Sequence, residues 1–191
     1  GPQNLLDAIA VATHPCVGGV LAVAAGVVHA AEHVHKAFPY RVDAFTSGEA
    51  GPCGWVEEGR VRWARQPLPV GQGTYAALLH RMPAAADWPW VEVVCSGAGA
   101  NGRVVDALVQ ARVQGLVIAA TGNGSIHHVL KEALLRAQQQ GVCVVTATRC
   151  GQGHTLVGPT GDFAGAAGLS PIKARIQLVL DLMSRNGAQA V

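Results

Sequence analysis

Three stretches of this sequence hold residues whose types and spacing could do chemistry. Thr121-Gly122-Asn123-Gly124-Ser125 reads as a loop that closes an apolar strand and opens a helix. The free N–H groups and positive dipole end of such a helix suit a carboxylate, and the glycines let it approach the backbone. Ser125 is the expected N-cap of that helix, a role that alone accounts for a serine there. His29-Ala30-Ala31-Glu32-His33 spells H-x-x-E-H. On a helix this pattern sets two histidines one turn apart with a glutamate beside a metal-bound water, the arrangement of a zinc hydrolase. Here Val27-Val28 reads as the end of a strand and Pro39 follows closely, so a hydrogen-bonded or solvated histidine cluster is preferred, with the zinc site on His29, Glu32 and His33 kept as an alternative. Gly97-Ala98-Gly99-Ala100-Asn101-Gly102 is a G-x-G-x-x-G between a strand and a helix. No Asp or Glu lies between Asp106 and Glu132, where a ribose-binding acid ~20 residues on is expected, so a tight turn is preferred over a dinucleotide site.

The elements that must position these residues follow from hydrophobic period. Leu5, Leu6, Ile9 and Ala10 recur at helical spacing between Gln3 and Thr13, ahead of His14-Pro15, and predict a short amphipathic helix. Gly19 to Ala25 reads as a buried strand, and Gly26 as a tight turn into a second strand over Val27 to Ala30. Gly54 to Trp63 alternates around Glu58-Gly59 as a β-hairpin. Residues 66–89 are rich in Pro, Gly and Ala and predict a connection between domains. Beyond them the pattern becomes strand 91–95, helix 101–112, strand 116–120, helix 125–140, strand 142–146 and a closing helix 171–183. That is βαβαβ, a flavodoxin-like parallel-sheet domain over 90–191, behind a partial N-terminal α/β domain over 1–65. In such a sheet the loops after Cys95, Ala120 and Thr146 are where ligands meet the strands' carboxyl ends.

Composition narrows the partners. The 191 residues are 50% hydrophobic and only 14% charged, with a net charge of +2, which suits buried parallel strands and supplies no cationic stripe for nucleic acid. The longest apolar stretch, Val17 to Val28, contains three glycines and is shorter than the ~20 residues a membrane span needs. Five cysteines without a C-x-x-C pair predict reduced, core-filling thiols rather than a disulfide framework.

Several segments together have a family look: Gly1-Pro2-Gln3-Asn4-Leu5, Val34-His35-Lys36, Val42-Asp43-Ala44-Phe45, the GPCGWVEEGRV hairpin, the Gly122-Asn123-Gly124 loop and the tail element GLSPIKAR. In order and spacing the chain resembles the bacterial-type L-asparaginases. The resemblance implies a two-domain α/β amidohydrolase that cleaves asparagine, and often glutamine, to the acid and ammonia through a threonine nucleophile, with neither metal nor organic cofactor. Lys36 stands where the family has its active-site lysine, which implies a base partner for the nucleophile if the amine is desolvated in a pocket. Ser125 stands where the family carries Asn or Ser reaching into a neighbouring subunit's site, and Asn123 shapes that loop. The family's two threonine motifs, one glycine-flanked and one followed by aspartate, do not occur here, so the chain is expected to lack the family's first part. The substrate-contacting glutamate of the loop after the third strand is also missing: Asp162 is the only acid between Arg149 and Gly168. What is expected, then, is an amino-acid amidohydrolase, incomplete as this chain, working as a homo-oligomer (dimer or tetramer), with the missing N-terminal segment, or both. Its expected compartment is the cytoplasm. A non-catalytic scaffold or binding module is the rival.

Overall fold

The computed structural model describes residues 1–15, 18–65, 75, 78, 80, 82–156 and 161–188. Most of the stretch expected to connect the domains, and Cys16, lie outside the described residues. Two compact units divide the chain, residues 1–73 and 74–191.

The first unit opens with helix α1 (Pro2–Ala12), which has a proline in its first turn, where a missing N–H costs nothing. The Thr13 hydroxyl ends the helix by donating to the carbonyls of Ile9 and Ala10. Strands β1 (Leu21–Ala24) and β2 (Val27–Ala30) form an antiparallel hairpin. Its turn places Ala25 at φ 50° and Gly26 at φ 74°, the double left-handed geometry of a type I′ hairpin loop. A two-residue ribbon pairs β3 (His35–Lys36) with β4 (Phe45–Thr46). Strands β5 (Gly54–Glu57) and β6 (Arg60–Trp63) form a second type I′ hairpin, with Glu58 at φ 49° and Gly59 at 71°. The main sheet runs β1-β2-β5-β6. Gly54 is required where it stands: a Cβ there would lie 2.5 Å from the carbonyl oxygen of Arg62.

One expectation for this unit is overturned, and a second element is present with a facing its pattern does not give. Gly19 to Ala25 is not a buried strand: β1 is shorter, sits at the sheet edge and is half-buried at all four positions. Helix α1 faces the other way from its apolar stripe, for Leu5, Leu6 and Ile9 are 65%, 60% and 51% exposed while Asp7 and Val11 point into the unit. Burial of Asp7 is made tolerable by Gln3, whose Nε2 donates to Oδ1 at 2.7 Å. The core these elements leave is small, with Val11, Val28, Cys53 and Val56 buried among the described residues.

The second unit is a parallel sheet of β7 (Val91–Cys95), β8 (Gly115–Ala120), β9 (Cys143–Thr148) and the short β10 (Ala164–Gly165), in the order β10-β9-β8-β7. Helices α2 (Arg103–Gln110) and α3 (His128–Gln139) cover one face, with Val105, Leu130 and Leu134 packed on Leu116 and Ile118. Helix α4 (Pro171–Ala188) covers the other, with Ala174, Leu178 and Leu182 packed on Val91 and Val117. β8 is buried at every position, as a central parallel strand with helices on both sides must be. The glycine-rich loop before α2 has a packing reason, since a Cβ on Gly102 would lie 2.7 Å from the Ala133 Cβ of α3. No helix among the described residues is long and apolar enough to cross a membrane.

Candidate functional site

In the second unit the chemistry-bearing loops gather at the carboxyl ends of β7, β8 and β9. Thr121 and Ser125 bond each other's backbone in both directions, at 3.1 and 2.8 Å, and close a tight turn over residues 122–124. Gly122 and Gly124 adopt φ 49° and 88°, a conformation that strains any L side chain, which is why glycines flank Asn123. The loop is laced to the one after β9. Thr148 Oγ1 donates to the Gly122 carbonyl at 2.8 Å, Asn123 Oδ1 accepts the Leu156 N–H at 2.6 Å, and the Ala120 carbonyl accepts the Arg149 N–H.

This closure corrects the expected cap. Ser125 spends its backbone N–H on Thr121, so the chain does not enter the helix there; α3 begins at His128 with His127 as its N-cap. The capping hydroxyl comes from another strand: Ser96, 2% exposed and directly after β7, accepts the His127 N–H at 2.9 Å. The Ser125 side chain is exposed and bonded by no other described residue. Asn123, by contrast, is occupied in holding the neighbouring loop. Asp162, the only acid between Arg149 and Gly168, pairs with Lys131 at 2.5 Å.

In the first unit Lys36 lies on the β3–β4 ribbon opposite Phe45. The turn beyond it is ordered by Arg41, which pairs with Asp43, stacks its guanidinium 4.2 Å from the Phe38 ring centroid and holds the Asp43 carboxyl below the usual carboxylate range. The Lys36 side chain is exposed.

The H-x-x-E-H segment is no zinc helix. His29 is on β2, 3% exposed, with Nδ1 2.8 Å from the Ser47 hydroxyl, and burial lowers its pKa. His33 lies in the following turn and its Nε2 is 3.2 Å from the Glu32 carboxylate. Among the described residues no group of three His, Cys, Asp or Glu side chains could hold a metal ion. The Ser47–His29 pair has the types of a nucleophile and its base, but both are buried, and the hydroxyl satisfies an imidazole that would otherwise lack a partner.

Comparison with known families decides the lineage. Residues 1–69 match the asparaginase N-terminal domain, and residues 90–191 match the glutaminase/asparaginase C-terminal domain. The chain belongs to the asparaginase family. It is 28% identical to L-asparaginase 2 of Escherichia coli, over all of this chain and 56% of that protein. It is 29% identical to L-asparaginase 2 of Bacillus subtilis, over all of this chain and 51% of that one. A glutaminase-asparaginase of Pseudomonas fluorescens is also 29% identical, over 95% of this chain and 51% of its own. The crystal structure of a probable cytoplasmic L-asparaginase from Campylobacter jejuni superposes with a TM-score of 0.82 at 27% identity, covering 96% of this chain and 59% of that one. This asparaginase-family chain therefore spans about half the length of the curated relatives it matches. Sequence reasoning found its Thr121–Ser125 loop but missed Ser96 and Thr148, which hold that loop and helix together. The only signal for either was a hydroxyl residue at the end of an apolar strand.

Proposed function

We propose that the protein to which these residues belong hydrolyses the side-chain amide of L-asparagine, with L-glutamine as a second substrate, to the acid and ammonia. A threonine hydroxyl attacks the amide carbon, ammonia leaves, and water releases the acid from the acyl-enzyme. Lys36 takes the hydroxyl proton, and Asn123 and Ser125 serve substrate binding, with Ser125 completing a neighbouring subunit's site in a homo-oligomer. The active protein further includes the family's threonine motifs from outside these residues, has its domain connection over 66–89 and works in the cytoplasm. The observation that carries the reading is the succession of both asparaginase domain families along one chain, with the exposed Ser125 hydroxyl at the carboxyl end of the central strand.

The non-catalytic reading is favoured by one observation, the exposure of Lys36 in the first unit. Ammonia release separates the two. The 191-residue chain is expected to be inactive, and the chain extended through its upstream reading frame active, with a kcat that Lys36→Met lowers at least ~10²-fold, the scale of a lost general base. An extended, folded chain that releases no ammonia, or whose kcat ignores Lys36→Met, refutes the assignment.

A further inference from the structure

Helix α4 carries two opposite charges one turn apart that do not pair. Asp181 and Arg185 stand at i and i+4, where Cβ atoms are ~6 Å apart, with the acid on the N-terminal side, the order that favours such pairs. Elsewhere in this unit opposite charges within reach do bond, Lys131 to Asp162 and Arg136 to Asp106. Here each partner is turned away from the other. The Tyr75 hydroxyl donates to Asp181 Oδ1 at 2.5 Å and the Gln177 amide donates to the same oxygen at 3.2 Å. The carboxylate is thus held in place, while its Oδ2 is bonded by no described residue. Arg185 turns Nη1 toward the Cys143 sulfur at 3.7 Å, a weak contact, and no described carboxylate meets its guanidinium.

Both charges line one cleft. It has a volume of about 510 Å³, runs along α4 beside β9 and β10, and reaches Cys143, the first residue of β9. No residue of the Thr121–Ser125 loop borders it. The run from Ala164 to Ala167 forms part of its wall, and with no side chain longer than a methyl group it leaves the space open. Val145, Leu169 and Leu178 give the cleft an apolar lining. Among the described residues that line it, Asp181 and Arg185 alone are charged, so a ligand with a third charge would find no partner. We propose that this cleft binds a free α-amino acid with an apolar side chain such as that of leucine, its ammonium group on Asp181 and its carboxylate on Arg185. An α-amino acid carries both charges on one carbon atom, so two charge-assisted hydrogen bonds of ~2.8 Å bridge two groups that do not reach each other. The guanidinium fork suits a carboxylate, and the side chain displaces water from the apolar lining. The site stands apart from the candidate substrate loop and does not rest on the amide chemistry.

Titration of the 191-residue chain with L-leucine at neutral pH, followed by its backbone amide resonances, tests the proposal. L-leucine should shift Gly165, Ala166, Asp181 and Arg185 saturably and leave the Thr121–Ser125 loop unmoved. 4-Methylpentanoate lacks the ammonium group and 3-methylbutylamine lacks the carboxylate, and each should bind at least ~10-fold more weakly than L-leucine, the scale of one lost hydrogen bond to a charged group. Arg185→Gln, at an exposed position, should weaken L-leucine by the same factor and leave 3-methylbutylamine unchanged. Asp181→Asn should weaken L-leucine and leave 4-methylpentanoate unchanged; because that substitution also touches the tie to Tyr75, Arg185→Gln carries the decision. Four results overturn the proposal. They are the absence of a saturable shift, 4-methylpentanoate binding as tightly as L-leucine, an L-leucine affinity that ignores Arg185→Gln, and L-leucine shifts at Thr121–Ser125 in place of the cleft. The second would reduce the site to an anion contact of Arg185, and the fourth would assign the ligand to the substrate loop. None of these readouts depends on ammonia release.

Discussion

The two units of this chain use the same apolar composition to opposite effect. In the second, β8 lies under helices on both faces and its six residues are all buried. In the first, no strand of the main sheet is buried throughout, and α1 turns Leu5, Leu6 and Ile9 to solvent. The difference teaches that hydrophobic content does not make a core; a strand needs cover on each face it makes apolar. The second unit has that cover within itself, whereas the first has an apolar edge and an apolar helix face still without it.

The sharpest way to break this comparison is to remove methyl groups from both cores. Leu116 on β8 is fully buried beneath α2 and α3, and Leu116→Ala should cost about 3–5 kcal/mol of the second unit's stability, yet leave β7, β8 and β9 protected from amide exchange at 25 °C. Val28→Ala removes less, about 2 kcal/mol of buried methylene equivalents, but should abolish protection across β1, β2 and β5, because so few other buried residues remain. The reverse pattern, with the second unit melting and the first intact, would show that the small cluster of Val11, Val28, Cys53 and Val56 is self-sufficient.

The same contrast decides what was legible in the sequence. β7, β8 and β9 read to within two residues because strands covered on both faces are continuous apolar runs bounded by helices. Both hairpins read because Ala25-Gly26 and Glu58-Gly59 carry a glycine where a left-handed residue is needed. The β3–β4 ribbon and β10 are two residues long, too short for any period to show. The facing of α1 was not legible because the sequence shows which side of a helix is apolar and not whether anything is present to cover it. At the candidate site the turn at 121–125 was legible from its glycines, but its effect was not: the backbone pairing of Thr121 with Ser125 delays the helix to His128, and that pairing leaves no trace in residue type.

Titration sharpens the comparison from both ends of the pH scale. In the second unit the Tyr75 hydroxyl is pushed up to about 12 by burial first and by donation to Asp181 at 2.5 Å second. Folding thus retains a proton that the unfolded chain loses near 10, so this contribution is present below pH 10 and fades as pH rises toward 12. In the first unit burial lowers the His29 pKa, so the folded state holds the neutral ring. That contribution is present above the ordinary value of 6.5 and is lost as pH falls through the folded pKa. Amide exchange followed across pH should show β7 to β9 weakening in alkali and β1, β2 and β5 weakening in acid. Tyr75→Phe should flatten the alkaline arm and His29→Asn the acid arm. An acid arm that survives His29→Asn would move the cause to another group of the first unit.

The smallest expected effect separates two serines that sequence alone would rank the other way. Ser125 looks like the cap of α3 but is exposed, with its hydroxyl unbonded by described residues; Ser96 looks like a strand residue but supplies the hydroxyl that accepts the His127 N–H. Ser96→Ala leaves that N–H without its partner inside the unit and should cost about 1 kcal/mol, read as a lowered midpoint in denaturant with an unchanged slope. Ser125→Ala should stay within about 0.5 kcal/mol of the parent chain, as a surface substitution away from caps and cores does. In the extended protein the order should invert at the level of activity: Ser125→Ala should raise KM through the lost hydroxyl, while Ser96→Ala should leave KM close to that of the parent at temperatures where α3 is folded. A Ser125→Ala chain destabilised as much as Ser96→Ala would restore the capping role to Ser125 and remove the reason its hydroxyl is free for a substrate.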